Sequence, residues 1–368
     1  MFRRPQLAMV PLEAREVPAL IADPIGDILP TFVPKTPGVV SGGMDVVAHE
    51  VVLLAEQERM VFYGKMAGSV AATQDEGGLY LFGVDRGLGT TRFLNPPNFP
   101  PEIGPNVKWD LIVAVRANGT GFVNNPLTGV LTPLDPSHFQ INGDELTASI
   151  PLSAMMPAAT RPPSEWTYNL WPRNGIGSNL QVSDLAPDDG NSPVQVVAPA
   201  RVADVTVNDG SAQRSMVNRL TVTFDGPVTL APGAFELVGP AGAVDLTVAA
   251  SVVDGRTVAV LTFSGPDIVG GSLADGSYTL TIHAARVHDR FGRDLDGDAD
   301  GLAGGDRADG FHRLFGDADG DKVVDESDRD AFRAVYEAAG YLWYFDFDSD
   351  GDVDGLDNGE FSRRFGRY

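Results

Sequence analysis

Residues 317–328 read DADGDKVVDESD, and residues 346–357 read DFDSDGDVDGLD, an offset of 29 residues. Both stretches place Asp at positions 1, 3, 5, 9 and 12 of a twelve-residue loop, with Val at position 8. Calcium accounts for this spacing. Ca²⁺ takes about 6–8 oxygen ligands, and a tightly curled loop turns positions 1, 3 and 5 inward. Position 7 offers a backbone carbonyl, position 9 often acts through water, and position 12 closes the shell from the first turn of the exiting helix. The predicted ligands are therefore Asp317, Asp319, Asp321, Val323, Asp325 and Asp328 in one loop. In the other they are Asp346, Asp348, Asp350, Asp352, Asp354 and Asp357. Val324 and Val353 are expected to point away and pack the two loops together. Position 6 requires a positive φ. Gly351 adopts it freely, whereas Lys322 stores about 1 kcal/mol of strain there.

Upstream, the run RDLDGDADGLAGGD (293–306) repeats the first half of the pattern. Asp296, Asp298 and Asp300 make a third candidate calcium site, although Arg307 stands where the closing acid belongs; the alternative reading is an acidic linker. From Asp294 to Glu360 the chain carries 21 acidic and five basic residues, most of its net charge of −23. Such a density of like charge repels itself in a compact state unless cations neutralise it. An acidic disordered tail would be poor in aromatics, yet this segment holds Phe315, Phe332, Trp343, Phe345 and Phe361 among others. Apolar residues also recur at helical spacing: Phe311, Leu314 and Phe315; then Phe332, Val335, Tyr336 and Ala339; then Phe361 and Phe365. Residues 311–368 thus read as a small helical module folded around metal, which chelation should unfold selectively.

The rest of the chain reads as β-structure. Candidate strands are Asp45–Leu53, Met60–Met66, Leu79–Val84, Trp109–Arg116, His138–Ile141, Glu145–Ile150 and Trp166–Trp171, rich in Val, Ile, Phe, Tyr and Trp and separated by Gly, Pro and Asn. Farther on, Leu220, Val222 and Phe224 alternate with Arg219, Thr221 and Thr223, and Tyr278, Leu280 and Ile282 alternate with Thr279, Thr281 and His283. Period-two patterning marks half-buried strands. The expected fold is mainly β: two β-sandwich domains followed by a small α-helical calcium-loop module. The expected boundaries are 1–21 for a leader, 22–196 and 197–293 for the two sandwiches, 294–310 for the acidic linker and 311–368 for the calcium module.

Composition narrows the function. The net charge of −23 argues against nucleic acid, whose phosphates need a basic surface, and against a polybasic membrane anchor. The absence of Cys excludes disulfides, thiol catalysis and thiolate zinc sites. No run of about 18 apolar residues is present to span a membrane. The five His residues form no HExxH, and neither a nucleophile elbow nor a P-loop occurs. His283 and His288 read as structural. Asp85, Asp110, Asp184, Asp188 and Asp189 read as turn formers and caps. Trp109, Trp166 and Trp171 read as core residues, with a sugar-stacking platform as the alternative.

The duplicated loops, each followed by a short helix, resemble a type I dockerin over roughly residues 311–367. That resemblance implies calcium-dependent folding and docking to a cohesin-like or other cell-surface protein. It places recognition at loop positions 10 and 11, here Glu326-Ser327 and Gly355-Leu356, two pairs that differ from one another. Residues NRLTVTFDGPV (218–228) and SYTLTIHAARVHDRFGRDL (277–295) resemble a bacterial immunoglobulin-like domain. YLFGVDRGLGTTRF (80–93) and YNLWPRNGIGSNLQVSDLAPDDGN (168–191) are more weakly similar to DOMON-like or carbohydrate-binding modules, and LEAREVPA (12–19) to leaders of modular bacterial exported proteins. Together these imply a non-enzymatic bacterial protein, extracellular or at the cell surface, that binds two Ca²⁺, docks to a partner and takes a polysaccharide on its first sandwich. The alternatives are a polysaccharide-degrading hydrolase or its accessory subunit, with paired carboxylates in a groove, and a structural component of the cell surface.

Overall fold

The computed structural model describes residues 20–91, 93, 102–266 and 268–367. The expected leader, 1–21, lies outside the described residues up to residue 19. The chain is mainly β, with two α-helices near its C-terminus. It divides into two compact units, one reaching to Val197 and the other beginning at Ala198.

The first unit contains β1 (Ile21–Ala22), β2 (Val46–Leu54), β3 (Arg59–Met66), β4 (Leu79–Asp85), β5 (Leu111–Arg116), β6 (Gly121–Asn125), β7 (Val130–Leu134), β8 (Phe139–Asn142), β9 (Glu145–Pro151), β10 (Thr167–Arg173), β11 (Ser192–Pro193) and β12 (Gln195–Val196). One sheet runs β1-β2-β3-β9-β8, with β12 added parallel to β2; the other runs β11-β10-β4-β5-β6-β7. Val51, Phe62, Leu146 and Ile150 of the first sheet and Tyr80, Phe82, Val113 and Leu170 of the second share one buried core. β9 shows the cause in its sequence: Leu146, Ala148 and Ile150 are buried while their neighbours are half-exposed. β4 is buried along its whole length. Its opposite face, Leu79 and Leu81, packs with Val107, Trp171 and Val182. Trp166 and Trp171 are 0% and 1% exposed, core residues as expected, while Trp109 is half-buried beside Trp171. The ring of Trp171 lies so close to Gly83 that a Cβ there would sit 2.1 Å from it.

The second unit contains β13 (Val202–Val207), β14 (Arg219–Phe224), β15 (Val228–Leu230), β16 (Phe235–Gly239), β17 (Gly242–Val253), β18 (Arg256–Ser264), β19 (Ile268–Val269), β20 (Ser272–Leu273), β21 (Gly276–Ile282), β22 (Val287–Asp289) and β23 (Arg307–Arg313). Seven of these follow the path β13-β14-β18-β17-β16-β21-β23, and β15-β22 and β19-β20 form two ribbons. β17 joins the two halves of the path: its first residues, Gly242–Val244, pair with β16, and Asp245–Val253 pair with β18. Leu220, Val222, Phe224, Leu261, Leu280 and Ile282 form the core.

Two expectations need correction here. Residues 307–313, expected partly as linker and partly as the start of a helical stripe, form β23, paired along its length with β21. Phe311 stacks on Tyr278 at 5.5 Å between ring centres, a cross-strand contact and not a helix face. The stretch 294–310 is not a free linker either: Asp296 N bonds the carbonyl of Ala200, and Arg307–Gly310 lie in the sheet.

Helix α1 spans Glu326–Tyr336 and α2 spans Gly355–Arg364. Asp325 and Asp354 are their N-caps, each completing a capping box with the Asp three residues on. The rings of Phe332 and Phe361, themselves 29 residues apart, stack at 4.7 Å. They share a core with Met216, Phe315, Val324, Phe345 and Val353. Both position-8 valines are thus buried together, as their place in the loops implies.

Candidate metal centre

The two loops have the same backbone. Positions 4 and 6 have positive φ in both: Gly320 (83°) and Lys322 (77°) in the first, Ser349 (58°) and Gly351 (100°) in the second. N–H groups of this stretch point inward, from positions 4 and 6 in the first loop and from positions 5 and 6 in the second. Asp317 accepts from Gly320 N at 2.6 Å and Lys322 N at 3.1 Å, and Asp346 accepts from Asp350 N and Gly351 N, both at 3.1 Å. Position 12 closes each loop. Asp328 accepts from Ala318 N (2.8 Å) and Asp325 N (2.9 Å), and Asp357 from Phe347 N and Asp354 N (both 2.7 Å).

This frame brings carboxylate oxygens of Asp317, Asp319 and Asp328 within 4.8 Å of one another, and does the same for Asp346, Asp348 and Asp357. Asp352 and Asp354 gather with Asp357 in a further group. Asp321 and Asp350 instead accept the N–H of position 7, at 2.8 and 3.2 Å. Asp325 accepts from Ser327 N at 2.8 Å as the cap of α1. Positions 1, 3 and 12 are therefore the assembled part of each predicted ligand set. The Val323 side chain is half-buried at position 7.

The electrostatics suit a cation. Burial, followed by the carboxylates of Asp319 and Asp317, pushes Asp328 above the usual carboxylate range. Asp357 is raised likewise by burial and by Asp348 and Asp346. Asp352 is raised chiefly by Asp350 beside it. Oxygen-only donors converging with excess negative charge fit a hard divalent ion such as Ca²⁺.

Two supporting residues carry no signal in the repeat, because their side chains differ. His312 Nε2 lies 2.7 Å from Asp317 Oδ2, and Tyr341 donates its hydroxyl to Asp346 Oδ2 at 3.2 Å. Each sits five residues before position 1 and orients that carboxylate from behind, as outer-shell partners of metal ligands do.

The upstream candidate has the same conformation in its first half. Ala299 and Gly301 have φ of 62° and 101°, Gly301 N donates to Asp296 Oδ2 at 3.0 Å, and oxygens of Asp296, Asp298 and Asp300 cluster. Its second half differs. Arg307 opens β23 and pairs with Asp309, and the Arg201 guanidinium holds Asp296 at 2.5 Å.

Of the scattered acids, Asp85 is the turn former expected, accepting from Gly87 N and Gly89 N at 2.9 Å. Asp110 is more: fully buried, it pairs with the equally buried Arg86 at 2.6 Å.

No protein-family model matches the chain, and no curated protein matches it. Among solved structures, a match is the crystal structure of mouse coronavirus receptor-binding domain complexed with its murine receptor. It is 8% identical, covering 72% of this chain and 98% of that one, with a TM-score of 0.19, too low to bear on fold or function. The class that the geometry itself defines is a mainly β protein with tandem acidic loops able to hold metal ions. No helix among the described residues is long and apolar enough to cross a membrane.

Proposed function

We propose that the chain is a non-enzymatic, calcium-dependent docking protein of the bacterial cell surface or exterior. In this reading the C-terminal loops are dockerin-like, bind two Ca²⁺ and present a recognition face to a cohesin-like or other surface protein. The preceding β-region is an immunoglobulin-like sandwich, and the first unit is a sandwich that takes a polysaccharide. The observation that carries the reading is the duplicated cage. Positions 1 and 12 are buried in both loops, while positions 10 and 11 (Glu326, Ser327, Gly355 and Leu356) stay exposed. Leu356 is 64% exposed at the start of α2, an apolar side chain with nothing of its own chain to cover it fully. Ca²⁺ would rigidify the loops and thereby pre-organise that face.

The test is capture from a cell-surface protein extract by immobilised full-length chain, in calcium and in chelator. A partner retained only with calcium, and lost from Leu356→Glu, is the expected result. Capture indifferent to both calcium and Leu356 would remove the docking reading.

A further inference from the structure

A second acidic centre lies in the first unit, far in sequence from the loops. Asp23 follows β1, and the chain then turns at Gly26 (φ 85°) so that Asp27 comes back beside it. Asp184 lies beyond β10 and is 0% exposed. Its Oδ2 accepts from Val46 N and its Oδ1 from Leu185 N, both at 2.8 Å. These bonds aim it at the other two, and oxygens of Asp23, Asp27 and Asp184 lie within 4.8 Å of one another. Asp45, just before β2, adds a fourth carboxylate, held by Gly26 N at 2.9 Å.

An independent feature separates this cluster from an ordinary acidic patch. Asp23 and Asp45 are 9% and 5% exposed, yet Asp23 Oδ2 and Asp45 Oδ1 are buried with no hydrogen-bond partner. Both oxygens of Asp27 are in the same state. Buried polar atoms in native proteins are nearly always satisfied, and here four acceptors are orphaned in one place. None of these four Asp residues forms an ion pair with Lys or Arg among the described residues. Burial together with the facing carboxylates of Asp184, Asp27, Asp188 and Asp45 pushes Asp23 up to about 8. Asp184 is pushed up to about 7, mainly by burial. Ionised side by side without a counter-ion, the group would repel itself.

We propose that Asp23, Asp27 and Asp184, backed by Asp45, form a calcium site in the first unit that ties the segment after β1 to the start of β2 and to the loop beyond β10. The donors are all oxygens and come from irregular loops, which suits the flexible coordination of Ca²⁺ better than the strict octahedron of Mg²⁺. The site is independent of the C-terminal loops. It was invisible to sequence reading because Asp184 lies more than a hundred residues from Asp23, Asp27 and Asp45 and looked like one more turn former.

The experiment is calcium binding by the metal-stripped full chain, titrated against a chromophoric chelator. Asp27→Asn is the diagnostic variant, because it removes one of the clustered charges and keeps the size and shape of the side chain. It is expected to bind one Ca²⁺ fewer per chain than wild type, or to bind that ion at least about tenfold more weakly. Asp348→Asn, in the second loop, should leave this ion in place, so the two readings fail separately. Asp23→Glu keeps the charge but displaces the oxygens; it should weaken the same ion and serves if Asp27→Asn does not fold. Wild-type stoichiometry and affinity in a folded Asp27→Asn or Asp23→Glu would overturn the site and leave shared protons as what holds the carboxylates together.

Discussion

Position 12 does three jobs with one carboxylate, and position 5 does fewer. Asp357 belongs to the cage and also satisfies the N–H groups of Phe347 and Asp354. Asp350 receives only the N–H of Asp352, at an exposed turn. Asp357→Ala should therefore abolish binding at the second loop and destabilise the chain even without calcium, by roughly 1–3 kcal/mol for each buried donor left unpaired. Asp350→Ala should weaken calcium binding with little loss in chelator. Denaturant unfolding with and without calcium separates the two effects, and equal losses in chelator would contradict the assignment. Lys322 offers the opposite test. Its φ of 77° is left-handed, so Lys322→Gly should stabilise the folded chain by about 1 kcal/mol or slightly less, since glycine also frees the unfolded chain. Most of this was legible because loop ligands are local: spacing within twelve residues fixes which carboxylates meet. His312 and Tyr341 were not legible, since a proton donor can be of several types and the repeat conserves only its place.

At the level of elements, β14 was legible because it has one buried face in strict alternation, with Leu220, Val222 and Phe224, and β4 because its short run is apolar and buried throughout. β17 resisted because it is mostly exposed, Val248, Val252 and Val253 included, and so carries no contrast between faces. β23 was misread for a different reason. Phe311, Leu314 and Phe315 fit a helical period by coincidence over five residues, while the pairing that decides the matter comes from Gly276–Ile282. The correction alters what calcium removal should do. His312 lies in β23 and contacts Asp317 of the first loop; Leu314 N and Asp317 O both bond the backbone of Arg214. Strand and loop are therefore continuous. Chelation should cost amide protection in β23 together with α1 and α2, instead of releasing residues 311–368 alone. Hydrogen exchange reads this directly, and β23 amides that keep full protection while both helices lose theirs would show the loops to be uncoupled.

Across the second unit, charge and burial meet at Asp275, beyond β20. It pairs with Arg313 at the end of β23 and with Arg364 in the last turn of α2, and it accepts the N–H of Phe315 at 2.9 Å. Both guanidiniums also lie over the rings of Phe315 and Phe347, between 5.1 and 5.7 Å from the ring centres. One carboxylate thus fastens the second loop's helix to the seven-stranded sheet. Burial pushes Asp275 up, but Arg313, the Phe315 N–H and Arg364 outweigh it and hold the carboxyl below the usual range. A carboxylate whose folded pKa lies below its unfolded value, about 3.9, adds stability that is fully present above that value and is lost as the pH falls through the folded pKa. Asp275→Asn should consequently destabilise the chain at pH 7 by about 3 kcal/mol, because it leaves the Arg313 guanidinium, 1% exposed, without its counter-charge. The gap between variant and wild type should close as the pH falls below about 4, where wild type loses the same interaction. Unfolding is followed in chelator at pH 7 and at pH 3, so that loss of bound calcium does not contribute to the gap. A gap that is unchanged at pH 3 would mean that Asp275 acts through its shape and hydrogen bonds, not through its charge.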